Sequence, residues 1–345
     1  MSAALYNATK QCRYSELLAN TPIAVAPDSI FRLDFAWDGP VPQAGQFFLI
    51  KPERSSTFLA RPISVMGWDR LADDAMPGAM VSGATVLDEV ADSAVSGAMV
   101  SGTTVQDEVA DGAVSGAMVQ DEVADSAVSG ARVSGTAVQD EIADSAVSGT
   151  IALRFLIARR GTGTTELAQL RTGERAWLTG PLGNSWWDND SAKVEAPIAL
   201  IGGGIGIAPL VAFARELDKR GRRVYDFYAG FKSASFGLDD LYPRRLYVAT
   251  EDGSEGQRGR ILDLLLPQNY KAVYSCGPMP MLKAVASLCK ATAVPCFISM
   301  EQRMACGVGA CLGCTVKVHG NGDSQNRHCC ADGPVFNAEE LIFSQ

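Results

Sequence analysis

Three cysteines near the C-terminus, Cys306, Cys311 and Cys314, stand in the spacing C-x4-C-x2-C, and Cys329 and Cys330 follow about fifteen residues later. This is the plant-type iron–sulfur spacing, in which thiolates hold a [2Fe–2S] cluster. The glycines and alanines of Met304-Ala-Cys-Gly-Val-Gly-Ala-Cys-Leu-Gly-Cys let the backbone wrap a small inorganic body and turn amide N–H groups toward its sulfurs. A cluster of this kind moves one electron at a time and makes no bond to substrate. The spacing therefore points to an electron carrier.

Two other uses of cysteine compete with that reading. Disulfides fit poorly, because the chain is long, shows no secretory signal and has nine cysteines, an odd number. Structural zinc normally pairs two C-x2-C knuckles, and only one pair here has that spacing. Cys12, Cys276, Cys289 and Cys296 are scattered and read as small buried hydrophobes.

At 345 residues the chain has room for two or more domains, each with its own core. Its net charge of −9 gives no electrostatic footprint for nucleic acid. No basic region followed by an apolar run opens the sequence, so an export signal is not expected. The longest apolar stretch, residues 197–214, is interrupted by glycines and a proline. It reads as strand, tight turn and helix, not as a membrane span. A cytoplasmic protein that does not enter a membrane is the expectation.

Residues 72–149 repeat V-Q-D-E-V-A-D-S-A-V-S-G-A with small variations, without a single aromatic residue. Their Asp-Glu pairs, beginning at Asp88, Asp107, Asp121 and Asp140, are 19, 14 and 19 residues apart. A solenoid needs a fixed period and large apolar residues. The tract instead reads as an acidic low-complexity insertion, cheap in loop entropy and therefore tolerable to a host fold.

Three blocks remain once it is set aside. In the first, runs such as Ile30-Phe-Arg-Leu-Asp-Phe, Gln46-Phe-Phe-Leu-Ile, Ile63-Ser-Val-Met and Ile151-Ala-Leu-Arg-Phe-Leu-Ile sit between Gly/Pro turns and predict a small antiparallel barrel. In the second, strands at Ile198, Arg223, Arg245 and Ala272 alternate with helices over 209–220 and after Pro278, a parallel α/β pattern. The third block is the cysteine segment. The expected class is a multidomain α+β protein, with a barrel over 15–190 interrupted by 72–149, an α/β domain over 191–295 and a small cluster domain over 296–345.

Each block carries a candidate site. Gly202, Gly203, Gly204 and Gly206 lie between a strand and a helix, where a turn lets a pyrophosphate approach backbone amides. The run departs from strict G-x-G-x-x-G, and tight packing explains it equally well. Cys276-Gly277 ends another strand at the same edge, where open α/β sheets bind ligands. Asp226 falls inside a strand and is not assigned to a ribose. Arg61-Pro62-Ile63-Ser64 offers a guanidinium and a hydroxyl, and Gly163-Thr164 adds amides and a second hydroxyl suited to the same phosphate. An Arg on a barrel surface beside an edge-strand Pro is the plainer alternative.

Taken in order, Arg61-Pro-Ile-Ser, Gly163-Thr164, Gly202–Pro209, Cys276-Gly-Pro-Met and the cysteine segment resemble the ferredoxin-reductase-like flavoproteins. Within that group, Met300-Glu-Gln-Arg-Met-Ala-Cys and Cys330-Ala-Asp-Gly-Pro-Val-Phe are similar to the electron-transfer subunits of NAD-dependent dihydroorotate dehydrogenases. The resemblance covers nearly everything outside the insertion. It implies FAD in the barrel, NAD as electron acceptor on the α/β domain and one [2Fe–2S] cluster. It also implies an FMN-containing dihydroorotate dehydrogenase catalytic subunit as partner, in a heterotetramer of two of each, serving pyrimidine biosynthesis.

Carried over, Arg61, Pro62, Ile63, Ser64, Leu156, Ile157, Ala158, Gly163 and Thr164 would contact FAD. The family commonly has Arg where Ala158 stands, and Arg159 or Arg160 are the available substitutes. Cys306, Cys311, Cys314 and Cys330 would hold the cluster, the Asp-Gly-Pro-Val-Phe anchor favouring Cys330 and the count from Cys314 favouring Cys329. No general acid or base is expected, and His319 and His328 read as loop residues. The alternatives are a subunit of another NAD(P)H-linked complex, of ferredoxin–NADP oxidoreductase or sulfide dehydrogenase type, and a scaffold with vestigial sites.

Overall fold

The computed structural model describes residues 11–26, 29–71, 149–188, 196–222, 224–320 and 322–343. The acidic repeat lies outside the described residues. The described residues fall in one compact unit.

Six strands with alternating apolar positions close into a barrel. They are β1 (Gln11–Pro22), β2 (Ile30–Trp37), β3 (Phe47–Pro52), β4 (Arg61–Arg70), β5 (Ile151–Ala158) and β6 (Arg175–Leu182), ordered β1-β2-β5-β4-β3-β6 with β1 returning to β6. Every pairing is antiparallel. Closure removes the free edge that an open sheet of this size would expose. The interior is aromatic: Phe48 meets Phe155 edge-on at 5.7 Å and Trp37 at 5.0 Å between ring centroids. Fully buried Leu33, Phe35, Ile50, Val65, Leu153, Ile157 and Leu178 fill the remaining volume.

The tract 72–149 leaves and re-enters this barrel between two paired strand ends. Arg70 is in register with Ile151, and Leu71 N–H donates to Thr150 O at 3.1 Å. The β4–β5 pair is therefore closed across the insertion as a short hairpin would close it.

After β5 a short helix, α1 (Thr162–Ala168), packs against the barrel mouth. The chain then forms β7 (Ile198–Gly203), α2 (Ile207–Lys219), β8 (Tyr225–Phe231), β9 (Arg245–Thr250), the two-residue β10 (Gln257–Arg258), β11 (Ala272–Cys276), α3 (Met279–Ala291) and β12 (Cys296–Ser299). These strands pair in parallel in the order β10-β9-β8-β7-β11-β12. The central β7 is buried along its length, the mark of a strand covered on both faces. Helix α2 buries Leu210, Val211, Phe213, Ala214 and Leu217. Helix α3 buries the i, i+3, i+7 row Leu282, Val285 and Cys289.

The cysteine segment adds the hairpin β13 (Thr315–His319) and β14 (Ser324–His328), then β15 (Val335–Asn337). Strand β15 pairs antiparallel with β12, so the sheet is mixed at this edge, which the parallel pattern alone had not indicated. His319 and His328 end the two hairpin strands and are not loop residues. Cys289 and Cys296 are buried as expected and Cys276 is half-buried, whereas Cys12 is exposed because its strand position faces solvent. No helix among the described residues is long and apolar enough to cross a membrane.

Candidate functional site

Register brings the two dinucleotide motifs together. Gly202 at the end of β7 lies opposite Cys276 at the end of β11, and β7 is flanked by β8 on its other side. This is the point where connections diverge to either side, the crevice in which open α/β sheets bind ligands. The backbones here touch so closely that a Cβ on Gly206 would fall 2.6 Å from Gly277 Cα and 2.7 Å from Cys276 O. Gly202 and Gly203 pack against Ile207 and against Met281 and Pro278. Asp226 is buried lower in β8, bound bidentately by Arg244 at 3.0 and 3.1 Å and by Tyr270 at 2.7 Å. It is a structural carboxylate, far along its strand from the ligand-facing edge.

On the barrel, β4 delivers Arg61 to Gly163 of α1. A Cβ on Gly163 would meet Arg61 Nε at 2.5 Å, so the glycine lets the guanidinium take this position against the helix. Arg61 Nη1 donates to Leu59 O at 2.8 Å. Glu166 of α1 accepts from Ser55 Oγ, Ser56 Oγ and Ser56 N–H at 2.5, 2.5 and 3.0 Å, fixing the loop that precedes Arg61. Those serine hydrogen bonds, with Arg61 nearby, hold the Glu166 carboxyl below its usual range. Thr164 Oγ1 accepts from Arg160 and Gly161 N–H and closes the turn into α1.

Barrel, sheet and cysteine segment share an open cavity of about 110 Å³. Pro62, Ile63, Ser64 and Leu156 form its barrel wall, and Gly206 and Cys276 its sheet wall. Met300, Glu301 and Met304 close the third side. Burial pushes the Cys276 thiol up to about 12, aided by Glu301 and opposed by a hydrogen bond with Ser299. Ile157 does not reach the cavity: its side chain is in the barrel core. Ala158 ends β5 beside Arg159, whose N–H donates to Ser29 O at 2.7 Å. Gly202, Gly203, Gly204 and Gly277 stand at the sheet edge without lining the cavity, and Arg61, Ala158, Gly163 and Thr164 also lie outside its lining.

Two residues beyond Met304 the cysteine loop begins. Gly307 and Gly309 take φ of 69° and 80°, and Leu312 is held at φ 57°, turning the loop inward. Val308 and Cys311 N–H point at Cys306 Sγ at 3.5 and 3.3 Å, and Gly309 N–H at Cys330 Sγ at 3.1 Å. Burial raises the Cys306 thiol, but the converging amides outweigh it and bring the group down to about 7. Cys330 N–H in turn points at Cys314 Sγ at 3.4 Å. Among the described residues no group of three or more His, Cys, Asp or Glu is arranged to hold a single metal ion. Cys329 turns the other way and donates to Met300 O at 3.1 Å from a fully buried position. A cradle of amides aimed at the sulfurs of Cys306, Cys314 and Cys330 suits a dinuclear cluster.

Residues 301–342 match the family model for the iron-sulfur cluster binding domain of dihydroorotate dehydrogenase B. The chain is 41% identical over 194 residues to the dihydroorotate dehydrogenase B (NAD(+)) electron transfer subunit of Clostridium acetobutylicum, spanning 56% of this chain and 75% of that one. Against the subunit of the same name from Clostridium perfringens the identity is 39%, over 55% and 76% of the two chains. It belongs to the dihydroorotate dehydrogenase B electron transfer subunit family. The fold is ferredoxin-reductase-like: the solved NADH-dependent reduced ferredoxin-NADP oxidoreductase aligns with TM-score 0.58 and 19% identity, over 95% of this chain and 89% of that chain.

Within this electron transfer subunit family member, sequence reading missed several cavity residues. Phe47, Pro209, Ser299, Gln302 and Pro334 line it together with the Met300–Met304 stretch. The stretch from Met300 was visible as part of the resemblance, but nothing in its residue types announced a wall. Pro334 is brought there from beyond the cysteines by β15, a long-range placement without a local signal.

Proposed function

We propose that this chain is the subunit that carries electrons from the FMN of a dihydroorotate dehydrogenase catalytic subunit, through a [2Fe–2S] cluster and FAD, to NAD⁺ in pyrimidine biosynthesis. One observation carries the reading. A single cavity is walled by Pro62, Ile63 and Ser64 of β4, by Gly206 and Cys276 of the crevice and by the stretch that runs into the cysteine loop. Flavin, nicotinamide and cluster sites would thus meet without a long gap.

FAD bound there couples one-electron to two-electron chemistry, and the protein supplies placement and potential. Arg61, against Gly163, would pair with its diphosphate, an interaction suited to a guanidinium fork. Pro62, Ile63, Ser64 and Leu156 would hold the ring, Ile157 and Ala158 contributing through backbone, with Thr164 shaping the turn beside it. Gly202, Gly203, Gly204, Gly206, Cys276 and Gly277 would receive the dinucleotide across the sheet edge. Cys306, Cys311, Cys314 and Cys330 would hold the cluster. No side chain is assigned as a general acid or base.

The division into 15–190, 191–295 and 296–345, a cytoplasmic location and a heterotetramer of two subunits of each kind belong to the same proposal. The test is the purified chain itself. It should carry one FAD and two irons, and NADH should bleach both flavin and cluster absorption. A chain that takes up flavin without iron, or neither, would overturn the reading.

A further inference from the structure

We propose that Asn184 is a positioning residue that locks the limb carrying Cys330 onto the flavin barrel. The inference rests on Cys330 being a cluster ligand. Asn184 follows β6, and its polar groups reach a segment about 150 residues away in sequence. Its backbone N–H donates to Gly333 O at 2.6 Å. Its Nδ2 donates to Val335 O at 2.8 Å and Asp332 O at 3.3 Å, and its Oδ1 accepts from Val335 N–H at 2.9 Å. A planar amide with one acceptor and two donors matches one N–H and two carbonyls, and no other side chain of this size does.

The limb is held at both ends. Toward the cysteines, Cys330 N–H points at Cys314 Sγ at 3.4 Å and Gly309 N–H at Cys330 Sγ at 3.1 Å. Asp332 caps the turn by accepting from His328 N–H at 2.6 Å. Toward the barrel, Asn184 clasps residues 332–335, and Pro334 in their midst lines the cavity. Pro334 O also accepts from Met300 N–H at 2.8 Å. The neighbouring Gly183 is itself tied to Gln46, whose Nε2 donates to Gly183 O at 2.9 Å. One amide thus fixes Cys330 and a cavity wall to the same rigid strand end, as partners behind metal ligands do.

Asn184→Leu keeps the shape and the backbone bond to Gly333 O and removes the three side-chain hydrogen bonds. Asn184→Asp keeps the acceptor for Val335 N–H but sets a carboxylate against two carbonyls. Both variants of the full chain are loaded with FAD and cluster beside wild type and Cys330→Ser. The dithionite-reduced EPR signal, the lifetime of cluster absorption under a chelator and the FAD content are then measured. Both Asn184 variants should keep FAD, shift the EPR g-values and lose the cluster about 10- to 100-fold faster than wild type. Wild-type EPR and lifetime in both variants would overturn the proposal. Simultaneous loss of FAD and cluster in both would overturn it too, because Asn184 would then hold the whole fold and not the limb. A wild-type chain that takes no cluster, or a Cys330→Ser chain that keeps it, would instead sink the ligand assignment and the inference built on it. Those two outcomes are read without any Asn184 variant.

Discussion

Two adjacent cysteines in this chain have opposite surroundings. Cys330 lies against Cys314 with Gly309 N–H aimed at its sulfur, whereas Cys329 is sealed against Met300 O. Burial drives both thiols upward, Cys330 to about 12 and Cys329 further. Only Cys330 has neighbours that a cluster would turn to use. Cys330→Ser should therefore abolish the cluster, while Cys329→Ser should retain it and lose about 1–3 kcal/mol of stability as a hydroxyl replaces a buried thiol. Iron content and visible spectra of the two variants decide the matter, and the reverse pattern would reassign the ligand. The sequence left these two residues open because a one-residue step in a turn changes which side a sulfur faces, and no residue type records that step.

At the scale of elements, α2 is fastened to the barrel through a buried carboxylate. Glu216 accepts from Ala44 N–H at 2.8 Å and from Trp187 Nε1–H, while Arg220 lies 4.0 Å over the Trp187 ring. Burial raises its carboxyl above the ordinary 4.5; the Trp187 and Ala44 hydrogen bonds, Arg220 and Lys219 oppose the rise without cancelling it. Because the folded value exceeds the unfolded one, the folded state holds the proton to higher pH. The group's contribution is then complete below the unfolded value and is lost as pH rises through the folded one. Melting temperature should accordingly decline over that window in wild type, and Glu216→Gln should remove this component of the slope. Parallel pH profiles for the two chains would contradict the assignment.

At the scale of the whole molecule, Leu71 and Thr150 hold the barrel closed across the repeat tract. Replacing residues 72–149 by Asn-Gly should leave the barrel folded and FAD bound, with stability equal to wild type or up to about 2–3 kcal/mol higher from shorter loop closure. Urea unfolding with flavin fluorescence measures both, and loss of folding would show that the tract is part of the host.

The architecture was legible because alternation in Ile30–Phe35 and Ile151–Ile157 and the strand–glycine–helix run at Ile198–Pro209 are local signals. Pro62, Ile63, Ser64, Leu156, Gly206 and Cys276 do line one cavity, but Ile157 faces the core, since successive strand residues point to opposite faces. The antiparallel β15, the Pro334 wall and the Asn184 clasp were not legible. They depend on backbone groups meeting across long separations, and a backbone carbonyl has no signature in sequence.

We propose that this chain delivers electrons from dihydroorotate to NAD⁺ only together with a partner. The most direct test is co-expression with a dihydroorotate dehydrogenase catalytic subunit from the same organism, assayed for dihydroorotate-dependent NADH formation. Activity that requires both chains, and that falls away with Cys330→Ser, is the predicted result. A flavin- and cluster-loaded chain that neither binds the catalytic subunit nor supports NADH formation from dihydroorotate would contradict it.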